Sequence, residues 1–355
     1  MSEEFPGYLK DRKKADYLDS GCTILNVHAT GTYKGAFKLG QYTHLVGDSD
    51  AGKTWLALTT LAAAANNPKF DDYLLIYDNV ESGINMDMVK YYGTKLASRI
   101  QAPSVNEEGE PQSSTTLESF YDHFDDYIKS GKPFIYVVDS LDQLASLASL
   151  AKYEEEKAAR RKGKETSGTY GMEAAKSNKA FFRRCGDGLE LTNSVLLAIS
   201  QTIDNPNGTY AGKSVSGGHA LKFSTRMQIW LKRVGILKKT VKGKEYGIGS
   251  EIQCAIKKNH LNGRYSRFNF KIYNAYGIDD TRECIEYLVA TKHWSVVKQT
   301  IVAPEFEIEA GILKLIEHIE ENNLTEDLQK LVEDVHNTII TETQKEFADR
   351  KRRFL

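Results

Sequence analysis

The sequence predicts an α/β protein with a mixed, mostly parallel central sheet flanked by helices and followed by a small helical C-terminal domain. Three observations predict it. Short apolar runs, of the kind strands show when both faces are covered, alternate with helical stretches. A glycine-bearing loop, Gly47, Asp48, Ser49, Asp50, Ala51, Gly52, Lys53 and Thr54, lies between one such strand and a helix. From about Thr225 the pattern shifts to longer strands joined by tight polar turns, and after about Cys284 to charged amphipathic helices.

The strand before the loop is Gln41 to Val46, and the helix after it runs from Lys53 to about Asn66. Tyr73 to Tyr77, Pro133 to Val138 and Ser194 to Ser200 read as further buried strands, with helices over 84–98 and 115–130 between the first two. Such alternation implies crossover units and a parallel sheet. Met227 to Val234, Glu245 to Lys257 and Tyr265 to Tyr273 read as antiparallel strands extending that sheet. At the C-terminal end, Ile308, Ile312, Leu315 and Ile319 form one apolar helix face. Thr325 reads as the cap of a second helix, with Leu328, Leu331, Val332, Val335 and Ile339 on its buried stripe. The division expected is a short segment over 1–34, a core over 35–285 and a helical domain over 286–355.

A length of 355 residues and a hydrophobic share of 41% suit one large globular domain plus a small one. The formal net charge of −1 does not by itself announce a nucleic-acid partner, so any such surface must come from local basic segments. Cys22, Cys185, Cys254 and Cys284 lack metal-ligand or redox spacing and read as reduced and buried, as in a cytosolic protein. The longest apolar run, Leu56 to Ala65, is too short to span a bilayer, and the acidic start lacks the pattern of a signal peptide.

Residues 47–54 fit the Gly-x-x-x-x-Gly-Lys-[Ser/Thr] phosphate-binding loop in its proper setting, strand before and helix after. Glycines let backbone N–H groups wrap phosphates, and the helix N-terminus adds partial positive charge. Lys53 would neutralise the β- and γ-phosphates, and Thr54 would ligate Mg²⁺. Asp48 and Asp50 are unusual company for a polyphosphate. Ile135 to Asp139 is an apolar strand ending in a carboxylate, placed to hold the metal's water shell beside the loop.

Four segments taken in order resemble the RecA-class recombinases, including phage members of the UvsX type. They are the phosphate loop; Leu75 to Glu81; Val137, Val138, Asp139, Ser140; and Leu197 to Gln201 leading to Gly217, Gly218, His219, Ala220, Leu221, Lys222 and Phe223. The resemblance covers roughly residues 35–285 and implies a RecA-type ATPase core. It implies ATP and Mg²⁺ as cofactors, single-stranded and homologous double-stranded DNA as partners, and self-assembly into a helical filament. Single-strand-binding and mediator proteins would be further partners, and the setting a bacterial cytoplasm, with or without phage origin. The function implied is DNA-stimulated ATP hydrolysis coupled to strand exchange. A hexameric helicase-like motor and a weakly hydrolysing mediator are the alternatives.

Carried over by position, Glu81 would orient the attacking water, although family spacing puts that acid at Val80, with Asp78 as the fallback. Gln201 would sense the γ-phosphate. Met88 stands where the family often offers an aromatic to adenine, which leaves Tyr91 as a candidate. Lys258 matches a cation that reaches a neighbouring subunit's ATP, and His260 replaces a second one. Two DNA-binding loops are expected, near 151–172 and 202–216. The first carries Arg160, Arg161, Lys162, Lys164, Tyr170 and Met172; the second carries Tyr210 and Lys213 and closes on Gly217 and Gly218. A basic stretch from Lys232 to Lys244 is a further candidate surface. The family's N-terminal docking element has no clear counterpart, so 1–34 is expected to serve as a docking arm, anchored by Phe5 or Tyr8.

Overall fold

The computed structural model describes residues 16–81, 86–162, 171–205, 212–215, 224–348 and Arg350; at 171–180, 183, 203–205, 212–215 and 348 it describes the backbone alone. The fold is mixed α/β. A central sheet runs in the order β14 (Gly277–Ile278), β13 (Ser266–Tyr273), β12 (Lys244–Asn259), β11 (Met227–Val241), β3 (Gln41–Gly47), β9 (Val195–Asn205), β8 (Phe134–Asp139), β4 (Leu74–Asn79) and β5 (Ile100–Gln101). From β11 through β5 all neighbours are parallel, and β12 to β14 add an antiparallel wing.

The apolar strands are covered on both faces, which is why they read as continuous hydrophobic runs rather than alternating ones. In β8, Ile135 and Val137 join one core with α2 (Lys53–Ala65), while Phe134, Tyr136 and Val138 join a second core on the opposite face. That second core holds Phe120 and Phe124 from α4 (Leu117–Ser130) and Phe181 and Phe182 from α6 (Gly171–Thr192), in edge and tilted ring contacts. Trimming such a ring to alanine costs about 3–5 kcal/mol.

The segment over 16–34 does not project as an arm. Its strand β1 (Tyr17–Leu18) pairs with β2 (Phe37–Lys38), and its helix α1 (Thr23–Thr30) buries Ile24, Leu25, Val27 and Ala29 in the first core. The N-cap residue of α1, Cys22, makes no side-chain cap. The carboxylate of Asp280 substitutes for it, accepting from Thr23 N at 2.6 Å and Thr23 Oγ1 at 2.7 Å. Asp280 begins α7 (Asp280–Ala290), and Gln329 of α9 (Thr325–Thr343) donates to the same carboxylate at 3.1 Å. Residues 1–15, with Phe5 and Tyr8, lie outside the described residues.

The C-terminal part also differs from its sequence reading. A boundary at 285/286 falls inside α7, and Leu315, Ile319, Leu328 and Val332 belong to the same core as α1 and α2. Ile308 lies not on a helix but in β17 (Ile308–Ala310), which with β15 (Ser295–Val297) and β16 (Thr300–Ala303) makes a small antiparallel sheet ahead of α8 (Ile312–Glu321). Thr325 is the first helical residue of α9 rather than its cap. All four cysteines are buried and free. Among the described residues no helix is long and apolar enough to cross a membrane.

Candidate functional site

The parallel strands β3, β9, β8 and β4 all end at one edge of the sheet, where open α/β sheets place their ligands. Gly47 closes β3. A Cβ there would sit 2.4 Å from the Leu231 carbonyl oxygen, so only glycine lets the loop leave the sheet beside β11. Gly52 has φ +84°, and a Cβ on it would meet Ile272 Cδ1 at 2.5 Å. These two glycines turn the chain onto the N-terminus of α2.

Lys53, the first residue of that helix, is buried and donates to the carbonyl oxygens of Gly47 (3.0 Å) and Asp48 (2.7 Å). Burial pulls its ammonium below the usual lysine range, against the opposing field of Asp139, Glu81, Asp142 and Asp48. Thr54 Oγ1 donates to Asp139 Oδ2 at 2.6 Å, and Tyr77 OH donates to the same oxygen at 2.8 Å. Burial raises the Asp139 carboxyl above its ordinary value, a shift opposed by those two hydroxyls. The acids noted in the loop find partners: Asp48 accepts from Thr202 Oγ1, and exposed Asp50 lies 3.9 Å from Arg233.

Glu81 is placed by a local turn. After β4, Val80 N–H bonds back to the Asp78 carbonyl (3.0 Å), and Glu81 N–H bonds to the Asp139 carbonyl (3.1 Å). This tight turn brings Glu81 back against the end of β8. Its Oε1 accepts from Ser140 Oγ at 2.5 Å and from Gln201 Nε2 at 3.1 Å. Asp78, by contrast, is fully buried and committed elsewhere. It accepts from Ser114 N (2.8 Å), Ser114 Oγ (2.6 Å) and Tyr136 OH (2.8 Å), which fixes the chain ahead of α4.

Gln201 stands opposite Gly47 in the β3–β9 register. Its backbone N–H bonds the Asp142 carboxylate, and its amide bonds Glu81. Beyond it, the stretch read as a loop is partly strand: β9 runs on to Asn205 and pairs with β10 (Gly212–Val215), with Lys213 opposite Asp204. The first basic stretch is likewise helical as far as Arg161. Ser146 caps α5 (Leu147–Arg161) by accepting from Ser149 N, and the alanines, glutamates, lysines and arginines that follow are strong helix formers. Arg160 and Arg161 are exposed in its last turn and Lys162 is its C-cap; Met172 is the second residue of α6. Lys164, Tyr170, Tyr210, Gly217 and Gly218 lie outside the described residues.

Lys258 and His260 are not brought to this site. Lys258 pairs with Gln228, which lies beside His44, so it sits about 10 Å down the sheet from Gly47. His260 is exposed, and its imidazole is pulled below the ordinary histidine value by slight burial and by Lys258 and Arg226. Tyr91 packs edge-on to Trp55, directly after Thr54, and Met88 begins α3 (Met88–Arg99) nearby. Tyr77, Asp142 and Thr202 belong to the site without having been singled out in the sequence, and Ser140, named there beside Asp139, was given no role.

The side chains present fit a magnesium–triphosphate group: a glycine turn opening onto a helix N-terminus, a buried lysine, and the adjacent oxygens of Thr54 and Asp139. Among the described residues no group of three or more histidines, cysteines or carboxylates is arranged to hold a metal by itself. No family model matches the chain. It is 25% identical over 266 residues to a protein RecA of Colwellia psychrerythraea, covering 74% of this chain and 68% of that protein. It is also 25% identical over 260 residues to a protein RecA of Laribacter hongkongensis, covering 73% and 65%. The chain thus spans about two thirds of the length of these relatives. These likenesses support a distant RecA-like relationship for the chain.

Proposed function

We propose that this protein is an ATP-dependent recombinase that assembles on single-stranded DNA and exchanges strands with a homologous duplex. The observation that carries the reading is the hydrogen bond from Gln201 to Glu81, because Gln201 lies on the strand that continues into the β9–β10 hairpin. A residue beside the phosphate loop is thereby built into the element that would touch nucleic acid.

In this reading the backbone of residues 47–52 and Lys53 hold the triphosphate. Thr54 and Asp139 would hold Mg²⁺, which would supply charge neutralisation to the bound triphosphate. Glu81 orients the attacking water and accepts its proton. Gln201 trades its bond to Glu81 for one to the γ-phosphate, shifting the hairpin toward its DNA-binding arrangement. Arg160, Arg161, Lys162 and Lys213 supply charge to the DNA backbone. Lys258 and His260, remote from their own chain's loop, would serve a neighbour's site in a filament.

Strand exchange between homologous single- and double-stranded DNA tests the proposal, with Lys53→Ala as control. Product should require ATP and vanish in the variant. Hydrolysis of ATP without product in the wild type would favour the helicase-like alternative, and no DNA-stimulated hydrolysis at all would favour the mediator.

A further inference from the structure

Thr202 stands at a junction. Its backbone pairs with Val215 at the root of the β9–β10 hairpin, and its hydroxyl donates to the carboxylate of Asp48 in the phosphate loop. The register explains the meeting. Gly47 and Gln201 are partners across β3 and β9, so the residues that follow them leave the sheet side by side. The backbone N–H of Gln201 is held by Asp142 and its side chain by Glu81. The hairpin root is therefore tied to the candidate nucleotide site by three side-chain bonds, and of these the Thr202 bond is the one made to the phosphate loop, next to the Gly47–Gln201 strand pairing.

Asp48 is the unusual member of that loop. It is one of four carboxylates, with Glu81, Asp139 and Asp142, whose fields fall on the single buried ammonium of Lys53. A polyphosphate seated in the loop brings further negative charge against this acid. Like charges this close repel strongly in a partly buried setting, so the Asp48 carboxylate is driven outward and its bond to Thr202 weakens.

We propose that Thr202 is a positioning residue of the nucleotide response: its bond to Asp48 restrains the hairpin root, and an anionic ligand in the loop releases it by repelling Asp48. This rests on the reading of the site as a nucleotide-responsive DNA-binding site, and adds a second connection that acts by repulsion where Gln201 acts by attraction. The link is a coupling free energy between two sites, so it must appear in both affinities.

The experiment is fluorescence anisotropy of a labelled single-stranded oligothymidylate on the full chain, with and without a non-hydrolysable ATP analogue and Mg²⁺. Thr202→Val keeps the shape and removes the hydroxyl. It should tighten binding without nucleotide about three- to tenfold and leave nucleotide-bound affinity unchanged, shrinking the nucleotide response by that factor. Thr202→Ser should restore wild-type behaviour. Asp48→Asn keeps an acceptor but loses the charge that phosphate repels, so it should weaken the nucleotide-bound state instead. Valine and serine variants that behave alike, or an Asp48→Asn response equal to wild type, would overturn the proposal. A wild type indifferent to nucleotide would remove the functional reading beneath it, and is told apart because it shows before any variant is compared. Should the valine variant fail to fold by thermal melting, the serine and asparagine variants still decide.

Discussion

Two regions of this molecule gather carboxylates, and they use them differently. Where residues 19–33 meet α7 and α9, every acid has a built-in donor. Asp19 accepts from Asn26 and the Gly21 N–H, Asp280 from Thr23 and Gln329, and Glu283 from the Lys271 N–H. At the strand ends, Asp48, Glu81, Asp139 and Asp142 share one buried lysine. Apart from the Gln201 backbone N–H held by Asp142, their other donors are hydroxyls and a side-chain amide that can turn elsewhere: Thr54, Tyr77, Ser140, Thr202 and Gln201. Burial raises carboxyls in both places, to about 6 at Asp19 and about 8 at Glu283, and also at Asp139. A perturbed carboxyl therefore does not by itself distinguish the candidate site. What marks it is an excess of acid beside a glycine turn and a helix N-terminus, a charge imbalance that a bound cation would relieve.

The sharpest way to break this comparison is Glu81→Gln. The amide can still meet Ser140 and Gln201 but cannot take a proton. ATP turnover should fall by about 10²- to 10⁴-fold while nucleotide binding persists, measured by phosphate release and by equilibrium binding of a fluorescent ATP analogue. Melting temperature should hardly move. Undiminished turnover would strip Glu81 of its role; since Asp78 is buried under Ser114 and Tyr136, it would also send the search for the base beyond both acids.

The converse test lies at the junction. Asp280→Ala removes the surrogate cap of α1 and strands the Thr23 N–H and hydroxyl and the Gln329 amide. Losing a charged acceptor for buried donors costs about 3 kcal/mol in total, visible as a drop in the urea midpoint. The ATPase rate per folded molecule should stay at the wild-type value. A stable variant with lost ATPase activity would reverse the assignment of the two regions.

Much of the site was legible because it is written locally. A loop of fixed spacing, a strand ending in Asp139 and an apolar run leading up to Gln201 are each short local patterns. Glu81 was half legible: its type was clear, but its place is set by a turn closed between Val80 N–H and the Asp78 carbonyl, which spacing alone does not reveal. Thr202, Asp142 and Tyr77 were not legible, because each matters only through a partner on another strand or loop. Residues 16–34 were misread for the same reason. Their partners Asp280, Glu333 and Asn337 lie some 250–300 residues further along the chain, and Cys22 at the start of α1 gives no capping signal. The helix over 147–161 could have been read from its composition, but the basic run at its end drew the interpretation toward a loop.

The smallest of the expected effects concerns acid. Between α1 and α9, His28 stacks on Phe268 with ring centres 4.4 Å apart and meets His336 edge-on at 4.6 Å, while Tyr287 OH bonds His336 Nδ1. Burial pulls His28 down to about 3, helped by the neighbouring imidazole, and His336 down to about 4, helped by Arg264. The unfolded chain takes up these protons near pH 6.5. Both folded values lie below that, so the stability involved is complete above pH 6.5 and is lost as the pH falls toward 4 and 3. At pH 5 each histidine costs about 1–2 kcal/mol relative to pH 7.5. His28→Phe keeps the stacked ring and removes one proton acceptor, so its urea midpoint should fall less steeply between pH 7 and pH 5 than that of the wild type. A residual slope should remain, because His336 is still present and buried His44 in β3, held at about 3 by burial alone, contributes the same sign from beneath the candidate site. An unchanged slope in the variant would mean that the imidazole of His28 gains a proton without leaving its place between α1 and α9.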